Sequence, residues 1–322
     1  MKADLQFRTP VEIPVPLRQI GVGDCNIFLG SCFAEHIGGK FVASRLNTML
    51  NPVGVLYNPL SIARMLTTGK SNPERDFVKH RDMWHTWLGD ITLSRPSKEE
   101  CQRATNKALV ELHTYLCKAD NLFITLGTTH CYIEQESGQV VANCHRLPAD
   151  RFTEQEMLID KDGLSLETAL CQWHELNPRL QVVLTVSPYR YQKYGMHGSQ
   201  LSKARLLLYA EELCQAHPEW ICYFPAYELL LDELRDYRFY AEDMLHPSEQ
   251  AVKFIWQRLS EHWMDNEVKT YLQRWEPLSR AMAHRPMYPQ TKESREFQNK
   301  LMHDLAQLMN DYPMLGTTEN RQ

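Results

Sequence analysis

Residues 25–35 read CNIFLGSCFAE, and this stretch decides the fold class. Its short apolar run ends at Gly30 and predicts a buried β-strand. The apolar residues that follow recur at helical spacing, at Phe33, Ile37, Phe41 and Val42. The stretch therefore predicts a strand, a tight turn at a glycine and a helix, which is the repeating unit of a parallel α/β fold.

Three further apolar runs resemble the first strand: NLFITLG at 121–127, LQVVLTVSP at 180–188 and a weaker run from Ile221. Amphipathic segments separate them. A capping box at Ser97 and Glu100 predicts a helix to about residue 118, and Pro247 suits the first turn of another. Continuous apolar strands that alternate with helices are typical of a parallel sheet covered on both faces.

The predicted organisation has three parts. Residues 1–23 are proline-rich and irregular, residues 24–264 form the α/β domain, and residues 265–322 form a helical extension with helices around 267–282 and 292–310. Residues 70–96 carry Trp84 and Trp87 among charged residues and predict a long excursion over the sheet edge, of the kind that can form a lid.

Composition excludes several classes of protein. The 322 residues contain 35 Lys and Arg against 40 Asp and Glu, and 43% are apolar, as in globular proteins. A net charge of −5 gives no electrostatic reason to bind nucleic acid or an anionic membrane. No apolar run is long enough to span a bilayer, and the charged N-terminus does not resemble a secretory signal. Nine cysteines without CxxC pairs predict reduced thiols and a cytoplasmic protein.

The first candidate for chemistry is the turn after the first strand. Ser31 and Cys32 would lie at the N-terminus of the following helix, where free N–H groups and the helix dipole favour an oxyanion or a thiolate. The alternative is structural, because serine is a common N-cap and cysteine a common small buried residue.

The second candidate is Asp243-Met244-Leu245-His246, directly before Pro247. The aspartate can reach back to the imidazole and fix its orientation, which is the arrangement that a serine or cysteine nucleophile requires. The alternative is a histidine that caps the helix beside a solvated aspartate.

These two motifs, FLGSCFAE and DMLHPS, together with NPVGVLYNP, ITLGT, VANCH and TVSPYR, resemble the GSCFA-domain family. That bacterial family is distantly similar to the SGNH/GDSL hydrolases, and the resemblance covers roughly residues 20–260. It implies a three-layer, flavodoxin-like fold with about five parallel strands, here followed by a C-terminal helical extension.

The resemblance also implies roles for individual residues. When FLGSCFAE is aligned with the Gly-Asp-Ser motif of the SGNH hydrolases, Cys32 takes the place of the nucleophilic serine. A shift of one residue in this alignment would give that place to Ser31. Asp243 and His246 match the Asp-x-x-His motif fully, and Gly54 matches a glycine whose N–H stabilises an oxyanion.

A third SGNH motif, Gly-x-Asn, matches only in part. Gly127 matches its glycine, but Thr129 stands where the family pattern has asparagine. The hydroxyl groups of Thr128 and Thr129, or the amide of Asn143, are candidates to replace that oxyanion donor.

Two smaller groups remain open. The pairs His130-Cys131 and Cys144-His145 lack the usual zinc spacing, so His145 is better interpreted as a substrate contact, and we expect no metal and no cofactor. Arg190 could bind a carboxylate or phosphate, or be a solvated turn residue.

The resulting hypothesis is hydrolysis of a small-molecule or carbohydrate ester, with an O-acetylated sugar as the first class to test. An acyltransferase using the same residues and a non-catalytic ligand-binding protein are the alternatives. The sequence leaves the oligomeric state open.

Overall fold

The computed structural model describes residues 8–69, 74–157, 164–284 and 287–315. The described strands are β1 Asn26–Gly30, β2 Thr48–Leu50, β3 Phe77–His80, β4 Met83–Thr86, β5 Asn121–Leu126, β6 His130–Glu134, β7 Gln139–Val141, β8 Phe152–Glu156, β9 Gln181–Val186 and β10 Ile221–Tyr223. The principal helices are α1 Cys32–Ala43, α2 Pro59–Thr67, α3 Lys98–Leu116, α4 Leu164–Leu176, α5 Gly195–Ala216, α6 Glu249–Trp263, α7 Asn266–Ala283 and α8 Lys292–Asp311.

The central sheet has five parallel strands in the order β10-β9-β5-β1-β2. From β1 the chain first adds β2 on one side and then places β5, β9 and β10 on the other. This is a doubly wound order, in which the crevice outside the carboxyl ends of β1 and β5 is the switch point where ligands bind. The α/β prediction, with about five parallel strands, is confirmed.

Both faces of the sheet are buried because each strand is apolar on both sides. Ile27 and Leu29 of β1 belong to the hydrophobic cluster on one face, whereas Phe28 belongs to the cluster on the other. On that second face Phe28 stacks on Phe123 with ring centroids 4.3 Å apart. The alternation follows from the two-residue period of a strand. Of the predicted apolar face of α1, only Val42 is exposed.

Several elements were not predicted. They are the short β2, helix α2, the hairpin β3–β4, the antiparallel sheet β7-β6-β8 and helix α4. Residues 70–73 of the predicted lid lie outside the described residues. The remainder of that segment forms the β3–β4 hairpin, and Trp87 is buried against Val141 and Phe152. This segment therefore packs on the β7-β6-β8 sheet through Trp87 and does not lie openly over the edge of the central sheet.

The C-terminal helices pack on the end of α1. The phenol of Tyr271 donates to the Ser44 carbonyl at 2.9 Å, and the indole of Trp275 donates to the Ala43 carbonyl at 2.9 Å. The predicted helical extension is confirmed in α7 and α8. In the part of the chain that the structure describes, we find no helix with the length and apolarity to cross a membrane.

The turn at Gly30 can be tested directly. Gly30 has φ of +122°, and a Cβ at this position would collide with the backbone carbonyl of Thr125 on β5. Gly30→Ala should therefore lower the free energy of unfolding by more than about 3 kcal/mol, measured by urea denaturation. Gly23→Ala is the matched control, since no atom lies within 4 Å of a Cβ placed there. Equal stability of the two variants would contradict the assigned constraint.

Candidate active site

The turn after β1 gives Ser31 and Cys32 different surroundings. Ser31 is 1% exposed, and its hydroxyl accepts from the Phe33 N–H at 3.4 Å as the N-cap of α1. Cys32 is the next residue and its side chain is only partly buried. The cap role of Ser31 agrees with the structural alternative, and the thiol is the more accessible of the two groups.

The electrostatics of Cys32 differ from the expectation of a stabilised thiolate. Burial raises the pKa of the thiol, and the carboxylate of Glu35 raises it further. Lys203 and the N–H groups of Phe33 and Cys32 lower it, but they do not outweigh the raising effects. The free thiol is therefore favoured, and a reaction at this sulfur needs a base to remove its proton.

Asp243 and His246 form a pair suited to that task. The imidazole Nδ1 lies 2.5 Å from Asp243 Oδ2, and Asp243 Oδ1 accepts from the N–H groups of Leu245 and His246 at 2.9 Å each. These hydrogen bonds lower the pKa of Asp243 to about 2. The carboxylate holds a proton on Nδ1, which leaves Nε2 as the acceptor.

Arg190 holds the loop that carries this pair. Its backbone N–H donates to the Leu245 carbonyl and its guanidinium to the Met244 carbonyl, both at 3.2 Å. The same guanidinium lies 5.3 Å from the centre of the Tyr240 ring. Arg190 thus contacts the loop, a role that neither sequence interpretation, a ligand for an anion or a solvated turn residue, included. Met244, within the Asp-x-x-His motif, has φ of +60°, in the left-handed backbone region that residues other than glycine rarely adopt.

Tyr189, which the sequence analysis missed, contacts His246 and is near enough to Cys32 and Asp243 for their charges to act on it. Its ring centroid is 4.3 Å from that of His246. Burial raises the pKa of Tyr189, and negative charge on Cys32 or Asp243 raises it further, so both groups act on one phenol. Tyr189 follows the end of β9, within the TVSPYR motif. That position at the carboxyl end of a predicted strand was the sequence signal that could have identified it as a site residue. Among the described residues, Cys32 and His246 share no hydrogen bond, and contacts of this type often tighten only with substrate bound.

A groove whose lining surface is more apolar than polar adjoins His246. It has a volume of about 890 Å³ and lies between α1 and α6. Its lining includes Glu35, His36, Lys40, His246 and Ser248. Burial lowers the pKa of His36, and the nearby His246 lowers it further, so the two imidazoles are neighbours in the groove.

Gly54 does not supply an oxyanion donor in this structure. Its N–H donates to the Asn51 carbonyl at 2.8 Å in a tight turn. Gly54 has φ of +84°, and a Cβ there would collide with the carboxylate of Asp90. The prediction that its N–H points into the cleft is therefore wrong, because the turn uses that group.

Each of the three candidates to replace the family's asparagine makes a hydrogen bond, Thr129 as the donor and Thr128 and Asn143 as acceptors. The Thr129 hydroxyl donates to Glu156 at 2.9 Å, and the Thr128 hydroxyl accepts from the His130 N–H at 3.1 Å. Asn143 accepts from the His145 N–H at 2.8 Å. At the helix terminus, by contrast, the N–H groups of Cys32 and Phe33 interact with the sulfur and lower its pKa.

The histidine and cysteine pairs do not converge on a metal site. His130 stacks on Tyr194 with ring centroids 3.6 Å apart, and the Cys131 thiol donates to the Gln155 carbonyl at 3.4 Å. Within the described ranges, no group of three or more His, Cys, Asp or Glu side chains could hold a metal ion.

His145 is buried rather than placed to contact a substrate. It is 3% exposed, its Nε2 lies 2.8 Å from the Thr86 carbonyl, and its ring stacks on His85 with centroids 4.5 Å apart. Burial lowers the pKa of His145 from 6.5 to about 4. The imidazole is thus neutral at the pH where an exposed histidine would begin to protonate.

This burial predicts a loss of stability in acid. Between pH 6.5 and about 4 the unfolded chain binds a proton at His145 and the folded chain does not. The free energy of unfolding should therefore fall over this window, with His145 contributing about 3 kcal/mol to the decrease. In urea denaturation at several pH values, His145→Phe should have a shallower pH dependence than wild type. The control variant His303→Gln, at an exposed position of α8, should have the same pH dependence of stability as wild type. Identical slopes for His145→Phe and wild type would contradict the prediction.

Comparisons with known proteins assign this chain to a family. A search of curated proteins finds no match. Among solved structures, the chain is similar to an acetyl xylan esterase from the rumen bacterium Butyrivibrio proteoclasticus. That similarity has 12% sequence identity and a TM-score of 0.32, and it covers 78% of this chain and 66% of that one. The family model described as GSCFA family matches residues 26–259, and the one described as GSCFA domain protein, C-terminal domain, matches residues 275–322. The match to the GSCFA family model alone covers more than half of the chain, and this chain therefore belongs to the GSCFA family.

Proposed function

We propose that this protein is a thiol-dependent hydrolase that cleaves an ester at Cys32, with His246 as the base and Asp243 as the group that orients it. The observation that carries the proposal is the Asp243–His246 hydrogen bond of 2.5 Å, formed beside the tyrosine on which the charge of Cys32 also acts. An ionised aspartate that holds one nitrogen of an imidazole leaves the other free to accept a proton.

In the first half of the reaction, His246 Nε2 removes the thiol proton as the Cys32 sulfur attacks the ester carbonyl. The tetrahedral intermediate carries its negative charge at the N-terminus of α1, where the Cys32 N–H and the helix dipole favour an anion. The intermediate collapses when the carbon–oxygen bond breaks and His246 returns the proton to the departing alcohol. The product on the enzyme is a thioester at Cys32.

In the second half, His246 removes a proton from water, and the resulting hydroxide attacks the thioester carbonyl. The carbon–sulfur bond breaks, the sulfur regains a proton from His246, and a carboxylic acid leaves. If an alcohol or amine takes the place of water, the same steps transfer the acyl group to it. Acyl transfer is therefore the alternative outcome at the same residues.

The proposed substrate is the ester of a hydroxyl-rich molecule, with an O-acetylated sugar as the class to test first. The groove beside His246 supports this choice because its mostly apolar surface also carries charged and polar side chains, among them Glu35, His36 and Lys40. Such side chains can donate to and accept from hydroxyl groups. His246 itself lines the groove, so an alcohol bound there would lie beside the group that returns the proton.

We propose a reducing, cytoplasmic setting for this reaction. All nine cysteines have free thiols, Cys32 among them. A nucleophilic thiol stays active only where it is not oxidised to a disulfide.

The proposal predicts a graded loss of activity on acetylated substrates. Cys32→Ala should abolish turnover, and His246→Gln should lower kcat/KM by about 100-fold or more, because a positioned base contributes about 10²–10⁴-fold. Ser31→Ala should retain most of the activity while losing about 1 kcal/mol of stability as an N-cap. Steady-state hydrolysis of p-nitrophenyl acetate and of an acetylated xylo-oligosaccharide measures these effects.

The matched control for the base is His303→Gln, which should hydrolyse at the wild-type rate. Rapid-quench mass spectrometry should also detect one acetyl group on Cys32 during turnover. An active Cys32→Ala enzyme, or an acyl group on Ser31 in place of Cys32, would refute the thiol mechanism. A thioester that persists in water and decays only when an alcohol is added would assign the site to acyl transfer.

A further inference from the structure

The groove beside His246 continues into a second cavity. That cavity has a volume of about 700 Å³ and is lined by residues of α1, α6 and α7. The linings of the two cavities have Lys40, Ala43 and Lys253 in common, so the cavities adjoin each other. Together they form what we call the extended groove, which runs from His246 to α7 of the C-terminal helical extension.

The size of the extended groove exceeds the needs of a small ester. A small-molecule site has a volume of about 300–1,000 Å³. The groove beside His246 is already of that size, at about 890 Å³, before the second cavity is added. Along α1 its lining extends from Glu35 to Ala43, about 12 Å of helix. The extended groove therefore fits a ligand made of several linked units.

Gly39 in the interior of α1 lines this groove without a packing reason. Its neighbour Gly38 has such a reason, because a Cβ there would lie 2.7 Å from Leu50 Cδ1 and 2.9 Å from Phe28 Cγ. A Cβ on Gly39 would have no atom of the described residues within 4 Å, apart from the backbone of its own helix. Glycine within a helix costs about 1 kcal/mol relative to alanine. A bare backbone at this position is explained by a ligand that approaches it closely.

The charged side chains of the extended groove balance each other. Its cations, the histidines aside, are Lys40, Lys253, Lys269 and Arg280. Its carboxylates are Glu35, Glu249, Glu261 and Glu276. Among the described residues, none of these eight side chains takes part in an ion pair, whereas Arg258 on α6, outside the groove, is paired with Glu233. The groove thus offers both donors and acceptors with no net charge, which favours a neutral, hydroxyl-rich ligand over an anionic or cationic one.

The apolar part of the lining suits the same kind of ligand. Trp256 on α6 and Leu272 on α7 line the second cavity, and both are half-buried. Trp256 rests edge-on against Phe41 with ring centroids 5.2 Å apart, which holds its indole at the wall of the groove. A sugar ring has apolar C–H faces and hydroxyl groups around its rim, so a surface with both apolar and charged side chains can contact both parts.

We propose that the extended groove binds the alcohol part of the substrate as a neutral oligosaccharide, with the esterified unit beside His246 and the distal units against α7. The C-terminal helical extension is thus part of the binding site. The identification of this chain as a substrate rests on the proposed function. Its binding needs no turnover and can be measured separately.

The first experiment measures binding of unesterified oligosaccharides to the full-length protein by isothermal titration calorimetry. The ligands are chains of two, four and six units from xylan, cellulose, mannan and chitin. In at least one of these series the affinity should rise about tenfold or more from the dimer to the hexamer, because the longer chain reaches the second cavity. Absence of binding in all four series, or equal affinities of dimer and hexamer, would overturn the proposal.

Gly39→Gln tests whether this binding uses the groove. The new side chain projects into the space that Gly39 leaves open and should weaken hexamer binding about tenfold or more. It should not lower the thermal stability, because glutamine is the better helix former and meets no neighbour at its Cβ. Val42→Gln is the matched control, since Val42 is exposed on the same helix and lines neither cavity. Equal hexamer affinity of Gly39→Gln and Val42→Gln would contradict the proposal.

Arg280→Gln tests the role of the C-terminal helical extension. Arg280 is exposed on α7 and lines the second cavity, so its loss should weaken hexamer binding about threefold or more. Arg295→Gln is the control, at an exposed position of α8 outside both linings. Unchanged hexamer affinity in Arg280→Gln would remove the extension from the binding site.

Two other occupants of the groove give different results. Tighter binding of an acidic chain, tested with hexagalacturonate, than of every neutral hexamer would overturn the assignment to a neutral ligand. A dimer of the protein in sedimentation velocity that Gly39→Gln dissociates and Val42→Gln does not would assign the groove to a second copy of this chain.

The two proposals fail in distinguishable ways. If oligosaccharides bind with the expected dependence on length but no acetyl ester is hydrolysed, the extended groove stands and the proposed function falls. If p-nitrophenyl acetate is hydrolysed through Cys32 but none of the oligosaccharides binds, the hydrolase stands and the assignment of the groove falls.

Discussion

The site depends on the close pairing of β1 with β5. Gly30 is opposite Thr125 in the parallel register, and its conformation lets the backbone turn against the Thr125 carbonyl without a side chain between them. Ser31 then donates its N–H to that same carbonyl at 3.1 Å. This contact sets where α1 begins, and so it sets the position of Cys32 relative to the sheet.

The other side of the site is built by longer connections. The segment after β9 brings Tyr189 and Arg190 to the loop that contains Asp243 and His246, and Arg190 bonds two carbonyls of that loop. The Asp-x-x-His motif is exposed to solvent, with Asp243 and His246 about two-fifths accessible. Its geometry is therefore fixed by hydrogen bonds rather than by burial, which suits a group that exchanges protons with a substrate.

Cys32 illustrates why position at a helix terminus does not by itself decide reactivity. The N–H groups of the first turn favour a thiolate, but partial burial and the charge of Glu35 favour the thiol. Burial disfavours the full negative charge of the thiolate, whereas the N–H groups at the helix terminus offer only partial positive charges to stabilise it. Removal of the proton from this sulfur therefore requires a base.

The sequence by itself determined the elements whose signal is local. The strands β1, β5 and β9 are continuous apolar runs, and the N-cap of α1 and the Asp-x-x-His motif are read from a few adjacent residues. The strand β2, the hairpin β3–β4 and the sheet β7-β6-β8 escaped detection because they are short and carry polar residues, so their apolar periodicity is weak.

Only the tertiary structure decided how each candidate group is used. The Gly54 N–H and the Thr129 hydroxyl are consumed by partners at Asn51 and Glu156, which no spacing in the sequence shows. Tyr189 reaches the site from the segment after β9, far along the chain from Cys32. The physical reason is that hydrogen-bond partners, burial and charge depend on distances in space, whereas the sequence specifies directly only neighbours along the chain.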